Sequence, residues 1–292
     1  MPFVVQFPHP GSEHRPSPAA VDTVMPHNRG DHKRKFLRAD ATYLEHGRLQ
    51  TGDVAFWGEW EPPSRVIDVW SKQARLPRFL HEPLFDLVPE GVKHQNTDPL
   101  VLGEQFLFTN CRQARQPRLR ELTPGSLVLF GSGQGPGFVL DTVFVVGDDE
   151  HPYYEIGERD VVPGRPDADA LVFRPLASSP KHLGKPCRAY RGRPHEPGDD
   201  RPFSFVPCRP VGPEVRFERP LLRPEGPLEG LINPLLRMAA RVEEVDEQTV
   251  QAVWEHVRGV VESERLSLGV RLAGPQHTAL DLPLAEASGR GC

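Results

Sequence analysis

Proline interrupts this chain so often that most of it cannot be helical. Of 292 residues, 33 are proline and 26 are glycine. Proline lacks the N–H that a helix interior needs, and in sheets it is confined to edges, ends and bulges. Short strands joined by long, stiff loops are the expected result. The hydrophobic share is only 38%, yet the apolar residues come in dense runs at 127–130 and 143–146. Unbroken runs of this kind predict strands covered on both faces.

Further strands are expected at 3–7, 47–60, 66–70, 105–109, 171–173 and 266–272, with 131–137 as a Gly-rich connection. One helix is clear. Asp246 can cap it and Glu247 favours its first turn. Val250, Val253, Trp254, Val257, Val260 and Val261 then recur at i, i+3, i+4, i+7, which buries one face. Residues 231–240 are a second helix candidate. The expected class is α+β, mainly β: a partly closed mixed barrel with long Pro/Gly-rich loops and a C-terminal helix. Residues 1–175 form its core domain and 176–230 an irregular Pro/Arg-rich excursion. Residues 231–274 are a helical and strand element packed on the core, and 275–292 a flexible tail.

The net charge is -5, whereas a broad non-specific DNA binder is usually basic, so any nucleic-acid contact must be local. Four cysteines without CxxC spacing, and an N-terminal segment too short for a secretory signal, point to a reduced, cytoplasmic setting. No apolar run reaches the roughly 20 residues that span a bilayer, so no membrane partner is expected.

The chemistry concentrates in a few stretches. In Gly52-Asp53-Val54-Ala55-Phe56-Trp57-Gly58-Glu59-Trp60-Glu61-Pro62, two indoles and two carboxylates sit at a strand end. Indole faces stack bases or cations, and carboxylates accept from exocyclic amines or act as acid and base. Ordinary core tryptophans and solvated glutamates are the plainer reading. The N-terminal loops hold His9, Glu13, His14, His27 and His32. Imidazoles with a carboxylate suit zinc or another divalent metal, although the spacing matches no HExxH or Cys/His signature and no metal is assigned. Phosphate binding by Arg15, Arg29, Lys33, Arg34 and Lys35 is the rival use, and a hydrophilic surface loop the bland one.

Asn110-Cys111-Arg112-Gln113 closes another strand. Cys111 beside Arg112 could be a nucleophile, with His81 or His94 as its base, or simply a buried thiol. Asn110 and Gln113 can pair with a base edge, and Arg112 with guanine or phosphate. The loop Gly131–Gly137 lacks the lysine and helix start of a phosphate loop. Asp141, alone in an apolar strand, needs a buried partner, and Arg112 is one candidate. Residues 94–98 form a polar knot between prolines.

The run Gly52-Asp53-Val54-Ala55-Phe56-Trp57, and the turn-then-strand run Pro124-Gly125-Ser126-Leu127-Val128-Leu129-Phe130, resemble PUA-like barrels of the ASCH and EVE kind. The ASCH pattern GxKxxExR is missing. Such a resemblance implies a β-barrel whose pocket takes RNA, DNA or a modified base. The chain is also similar to uncharacterised bacterial proteins associated with nucleotide modification or phage defence, which would make it part of an antiviral system.

The leading expectation is recognition of a nucleotide or nucleic-acid base, modified or flipped bases included. Trp57 and Trp60 would stack it; Glu59, Asn110 and Gln113 would read it; Arg34, Lys35 and Arg112 would hold phosphate. The alternative is an enzyme on nucleotides or nucleic acid (hydrolase, nuclease or transferase) using His9, Glu13 and His14, or Cys111. A protein-interaction scaffold is the third. No cofactor or oligomeric state is assigned.

Overall fold

Strands account for 36% of the chain and helix for 15%, as the prolines require. The structure is a computed structural model and describes residues 1–9, 11–16, 20–85, 94–237 and 239–278. In chain order the strands are β1 (Phe3–Pro8), β2 (Val24–Met25), β3 (Arg34–Glu45), β4 (Arg48–Glu59), β5 (Ser64–Val69), β6 (Phe79–Pro83), β7 (Leu107–Phe108) and β8 (Leu127–Gln134). They continue with β9 (Gly137–Val145), β10 (Tyr153–Glu155), β11 (Pro186–Arg188), β12 (Tyr190–Arg191), β13 (Val206–Pro210), β14 (Leu221–Leu222), β15 (Arg241–Glu244) and β16 (Ser267–Leu272).

Two sheets carry the fold. One has the order β14-β9-β8-β1-β15 and the other β16-β13-β4-β3-β6-β5-β2. In the second, β16 also pairs with β3 through Leu268↔Leu44 to Leu272↔Ala41. Strands β3, β4, β13 and β16 thereby close a partial ring. The sheets are joined where Val143 and Phe205 exchange backbone hydrogen bonds of 2.9 Å each.

The five-stranded sheet is covered on both faces, as its unbroken apolar runs anticipate. Leu127, Leu129, Val143 and Val145 face the C-terminal helix, where they meet Val250, Val253, Trp254, Val257 and Val261. Val5, Phe7, Val128, Phe130 and Phe144 face a second core with Phe108 and Tyr190. The helix spans Glu247–Ser263, and the Asp246 side chain accepts from the Thr249 amide.

Several sequence expectations are corrected. Residues 171–173 lie in a short helical segment, not a strand, with Pro166 at its first position and four consecutive buried residues from Ala170 to Phe173. Residues 231–237 form turns rather than a helix. The Gly-rich 131–137 is not a connection; β8 and β9 continue through it to a tight turn at Gly135 and Pro136. The 176–230 stretch is woven into the fold, because β13 lies between β4 and β16. Of the expected tail, 279–292 lie outside the described residues. No helix among the described residues is long and apolar enough to cross a membrane.

Candidate functional site

Strands β1 and β8 run parallel, with Pro8 opposite Gly131, so both reach the same end of their sheet. The chain beyond β1 stays attached, because the His9 amide donates to Gly131 O at 2.6 Å. In the other sheet β3 begins where β4 ends, with Arg34 opposite Glu59. These two ends meet, and the corner 109–112 and the knot 94–98 close over them.

Glu59 is the hub. Its Oε2 accepts from Arg34 Nη1 at 2.9 Å and lies 2.9 Å from His9 Nδ1. The latter contact lacks hydrogen-bond alignment. Its Oε1 lies 2.9 Å from His32 Nδ1, which also meets Glu61 Oε1 at 2.9 Å. On the far side of His9, Nε2 is 3.2 Å from Cys111 Sγ. The ionised Glu59 can only accept, so the proton of a neutral His9 belongs on Nδ1, and Nε2 is free to accept from the thiol. Cys111, His9 and Glu59 thus stand in the order of a nucleophile, a base and an orienting carboxylate.

Burial and charge set the protonation states. Burial pushes His9 down to about 4, although Glu59 opposes it. His32 is the reverse: burial alone would lower it, but Glu59 and Glu61 hold it up at about 11. Burial works to raise Glu59, but His32 and His9 outweigh it and hold the carboxyl well below the usual range. The Cys111 thiol is pushed well above its ordinary value by burial, reinforced by Asp98 and Glu59. At rest the pair is therefore neutral thiol and neutral imidazole.

Asp98 shapes the corner. Its carboxylate accepts from the amides of Thr109 (2.8 Å), Asn110 (2.9 Å) and Cys111 (2.6 Å). Burial nevertheless raises it to about 6. A cavity of about 310 Å³ opens here, lined by His32, Glu59, Asn96, Asn110, Cys111 and Arg112, with Arg115, Lys181 and Lys185 also in its wall.

Behind Glu59 a buried ion chain ties the two sheets together. Arg34 Nε donates to Asp141 Oδ2 at 2.7 Å, and Asp141 Oδ1 accepts from Arg219 at 3.1 Å. The partners of Asp141 are thus Arg34 and Arg219, and Arg112 instead lies over the Phe7 ring.

The other sequence candidates separate. Trp57 and Trp60 fall into different cores. Both are almost fully buried, and their indole N–H groups donate to Phe217 O and Pro63 O. Neither borders the Cys111 cavity. An edge of Trp57 instead lines a second cavity of about 260 Å³ with Glu13, Arg15, Arg78 and Arg219. Glu13 accepts there from the amides of Arg78 and Phe79. His14 sits towards Lys35, where burial lowers it to about 4. Arg34 is buried in the ion chain. Lys35 is also buried, donating to Pro62 O at 3.3 Å, and burial lowers it to about 8 against the pull of Glu61. Gln113 is fully buried and brackets the Arg188 backbone. Of the proposed readers, Glu59 and Asn110 border the cavity, as does Arg112.

The imidazole in contact with Cys111 is that of His9, while His94 lines the same cavity. His81 is fully buried against Ser64. Sequence reasoning missed Asp98 and the Arg34–Asp141 pair. Their only signal was a carboxylate amid apolar or proline-bounded residues, which demands a partner without naming it. No protein family, no curated protein and no solved structure matches this chain.

Proposed function

We propose that this protein is an enzyme that uses Cys111 as a nucleophile on a small anionic substrate of the nucleotide class. The observation that carries this is His9, set between Cys111 Sγ at 3.2 Å and Glu59 Oε2 at 2.9 Å beside the cavity. As Cys111 Sγ attacks an electrophilic carbon, its proton passes to His9 Nε2 and an S–C bond forms. The bond to the leaving group breaks, and that group takes the proton from His9. Water or a second acceptor then attacks the same carbon, the S–C bond breaks with its electron pair going to sulfur, and the proton taken up by His9 passes to sulfur to restore the thiol. Glu59 stabilises the imidazolium between these steps.

Several features support an anionic, base-bearing substrate. Arg112, Arg115, Lys181 and Lys185 put cations in the cavity wall, beside the Asn96 and Asn110 amides, which are hydrogen-bonded to each other. A volume near 310 Å³ is at the small end of ligand sites, about 300–1,000 Å³. The two indoles give no support to base stacking, since they are held elsewhere.

The test is iodoacetamide labelling of Cys111 in the full chain, read by peptide mass mapping, with nucleoside monophosphates as protectants. Labelling of Cys111 is expected to slow at least about tenfold in His9→Ala, and nucleotide to protect it. An unchanged rate in His9→Ala would refute the role of His9 as base.

A further inference from the structure

Glu59 presents two oxygens to two different neighbourhoods. Oε2 belongs to Arg34 and His9, as above. Oε1 points the other way, to His32 Nδ1 at 2.9 Å. Glu61 does the same in mirror fashion: its Oε2 is held by the Asn28 side-chain amide, and its Oε1 lies 2.9 Å from the same His32 nitrogen. Two buried carboxylates thus direct one oxygen each at a shared point, where Glu59 Oε1 also accepts from the Asp98 amide at 3.4 Å. The three donor atoms all lie within 4.8 Å of one another.

We propose that His32, Glu59 and Glu61 bind a divalent transition-metal ion, of the zinc or manganese class, beside the Cys111 cavity. Ligands about 2.1 Å from a metal in tetrahedral or octahedral geometry sit about 3.0–3.4 Å apart, close to the observed separations from His32 Nδ1. The scaffold is fixed before any ion arrives. Glu59 ends β4, paired with β3. Trp60 is buried between the two glutamates, and the Glu61 amide donates to Thr97 Oγ1 at 3.1 Å. The Arg34 and Asn28 contacts are the outer hydrogen bonds that orient metal-bound carboxylates.

His32 Nδ1 bridges the two carboxylates at 2.9 Å each, and a bound ion would take the place of the proton it shares with them. One imidazole with two carboxylates suits zinc or manganese better than magnesium or calcium, which prefer oxygen alone. The His32 side chain is 30% exposed, which gives an ion access, and three protein ligands leave positions open for water or a substrate oxygen.

This site does not depend on the nucleophile reading, because Cys111 and His9 are not its ligands. The full chain, stripped with EDTA, is titrated calorimetrically with zinc chloride, manganese chloride and magnesium chloride. One zinc or manganese ion per chain is expected, with magnesium at least tenfold weaker. Binding should fall at least tenfold in both Glu61→Gln and His32→Ala and persist in Cys111→Ser. Thermal unfolding shows whether each variant is folded, and partly exposed His32 can be removed without opening the core. Absence of saturable zinc and manganese binding would overturn the proposal, as would unchanged binding in both variants or loss of binding in Cys111→Ser. If Glu61→Gln loses the ion while His9-dependent labelling of Cys111 survives, the two readings are separated.

Discussion

Arg34 offers the sharpest test of how this molecule is held together. It starts β3 in one sheet, and its guanidinium reaches Glu59 in the same sheet and Asp141 in the other at 2.9 and 2.7 Å. All three side chains are almost fully buried. Replacing Arg34 with Met keeps similar bulk but leaves buried carboxylates short of a cation, a change that typically costs about 3–5 kcal/mol. The low end applies here, since Asp141 keeps Arg219 and Glu59 keeps His32. Unfolding entropy near 2.1 cal/mol/K per residue implies about 0.6 kcal/mol/K for this chain length, so about 3 kcal/mol lowers Tm by about 5 °C. Differential scanning calorimetry and urea unfolding at pH 7 measure both. In Arg34→Met combined with Asp141→Asn, the loss should fall short of the sum of the singles by at least about 1 kcal/mol, because the pair touches directly. A single-variant loss below about 1 kcal/mol, or strict additivity, would refute the idea that this pair clasps the sheets.

Other consequences can be checked alongside it. Asp98→Asn puts an amide where a carboxylate accepts three backbone N–H groups; at least one charge-assisted bond is lost, and urea unfolding should show destabilisation of about 3 kcal/mol. Trp254→Ala removes a buried indole that packs on Phe203 and Phe205 and donates to Phe203 O, and should cost about 3–5 kcal/mol in the same assay. Trp60→Phe should lower stability only by the about 0.5–1.5 kcal/mol of one lost hydrogen bond, since Pro63 O keeps the Leu84 amide, and should leave Cys111 labelling unchanged; a changed labelling rate would give the indole a place in the site. Acid sensitivity follows from His81, which faces Lys35 and His14 and is pushed down to about 2 by burial. A folded-state value below the unfolded 6.5 means that the unfolded chain binds the extra proton. Stability from this group is complete above pH 6.5 and falls as pH drops, by about 1.4 kcal/mol per unit. His81→Asn should therefore show a flatter stability profile between pH 6.5 and 4.5 than the parent; identical slopes would contradict this.

Sequence reading succeeded where the signal is local. The strand at β1, the two doubly covered strands and the capped helix could be read because periodicity and run length report burial directly. It failed at β3, where no strand was expected and Arg34 and Lys35 were placed among the N-terminal loops. That strand opens with Arg34 and Lys35, two buried charges, and the partners that make Arg34 tolerable lie 25 and 107 residues away. The apolar triplet 171–173 misled for the opposite reason: so short a run is compatible with either state, and its neighbours decided for helix. At the site, Cys111, His9 and Glu59 were each named from the sequence, yet His9 and Cys111 were assigned to separate schemes. They are 102 residues apart, and nothing local links them.

The sequence by itself determined that this is a mainly β chain with one long helix, since proline and glycine limit backbone conformation wherever they occur and the valine period survives any context. Tertiary structure alone decided which polar side chains meet. The parallel pairing of β1 with β8 delivers His9, the β3–β4 register sets Arg34 against Glu59, and Asp98 folds the Cys111 corner back onto both. Trp57 and Trp60, the most conspicuous residues in the sequence, were drawn into two separate cores, while Glu59 between them borders the cavity. A buried charge must find a partner, and where it finds one is a property of the whole fold.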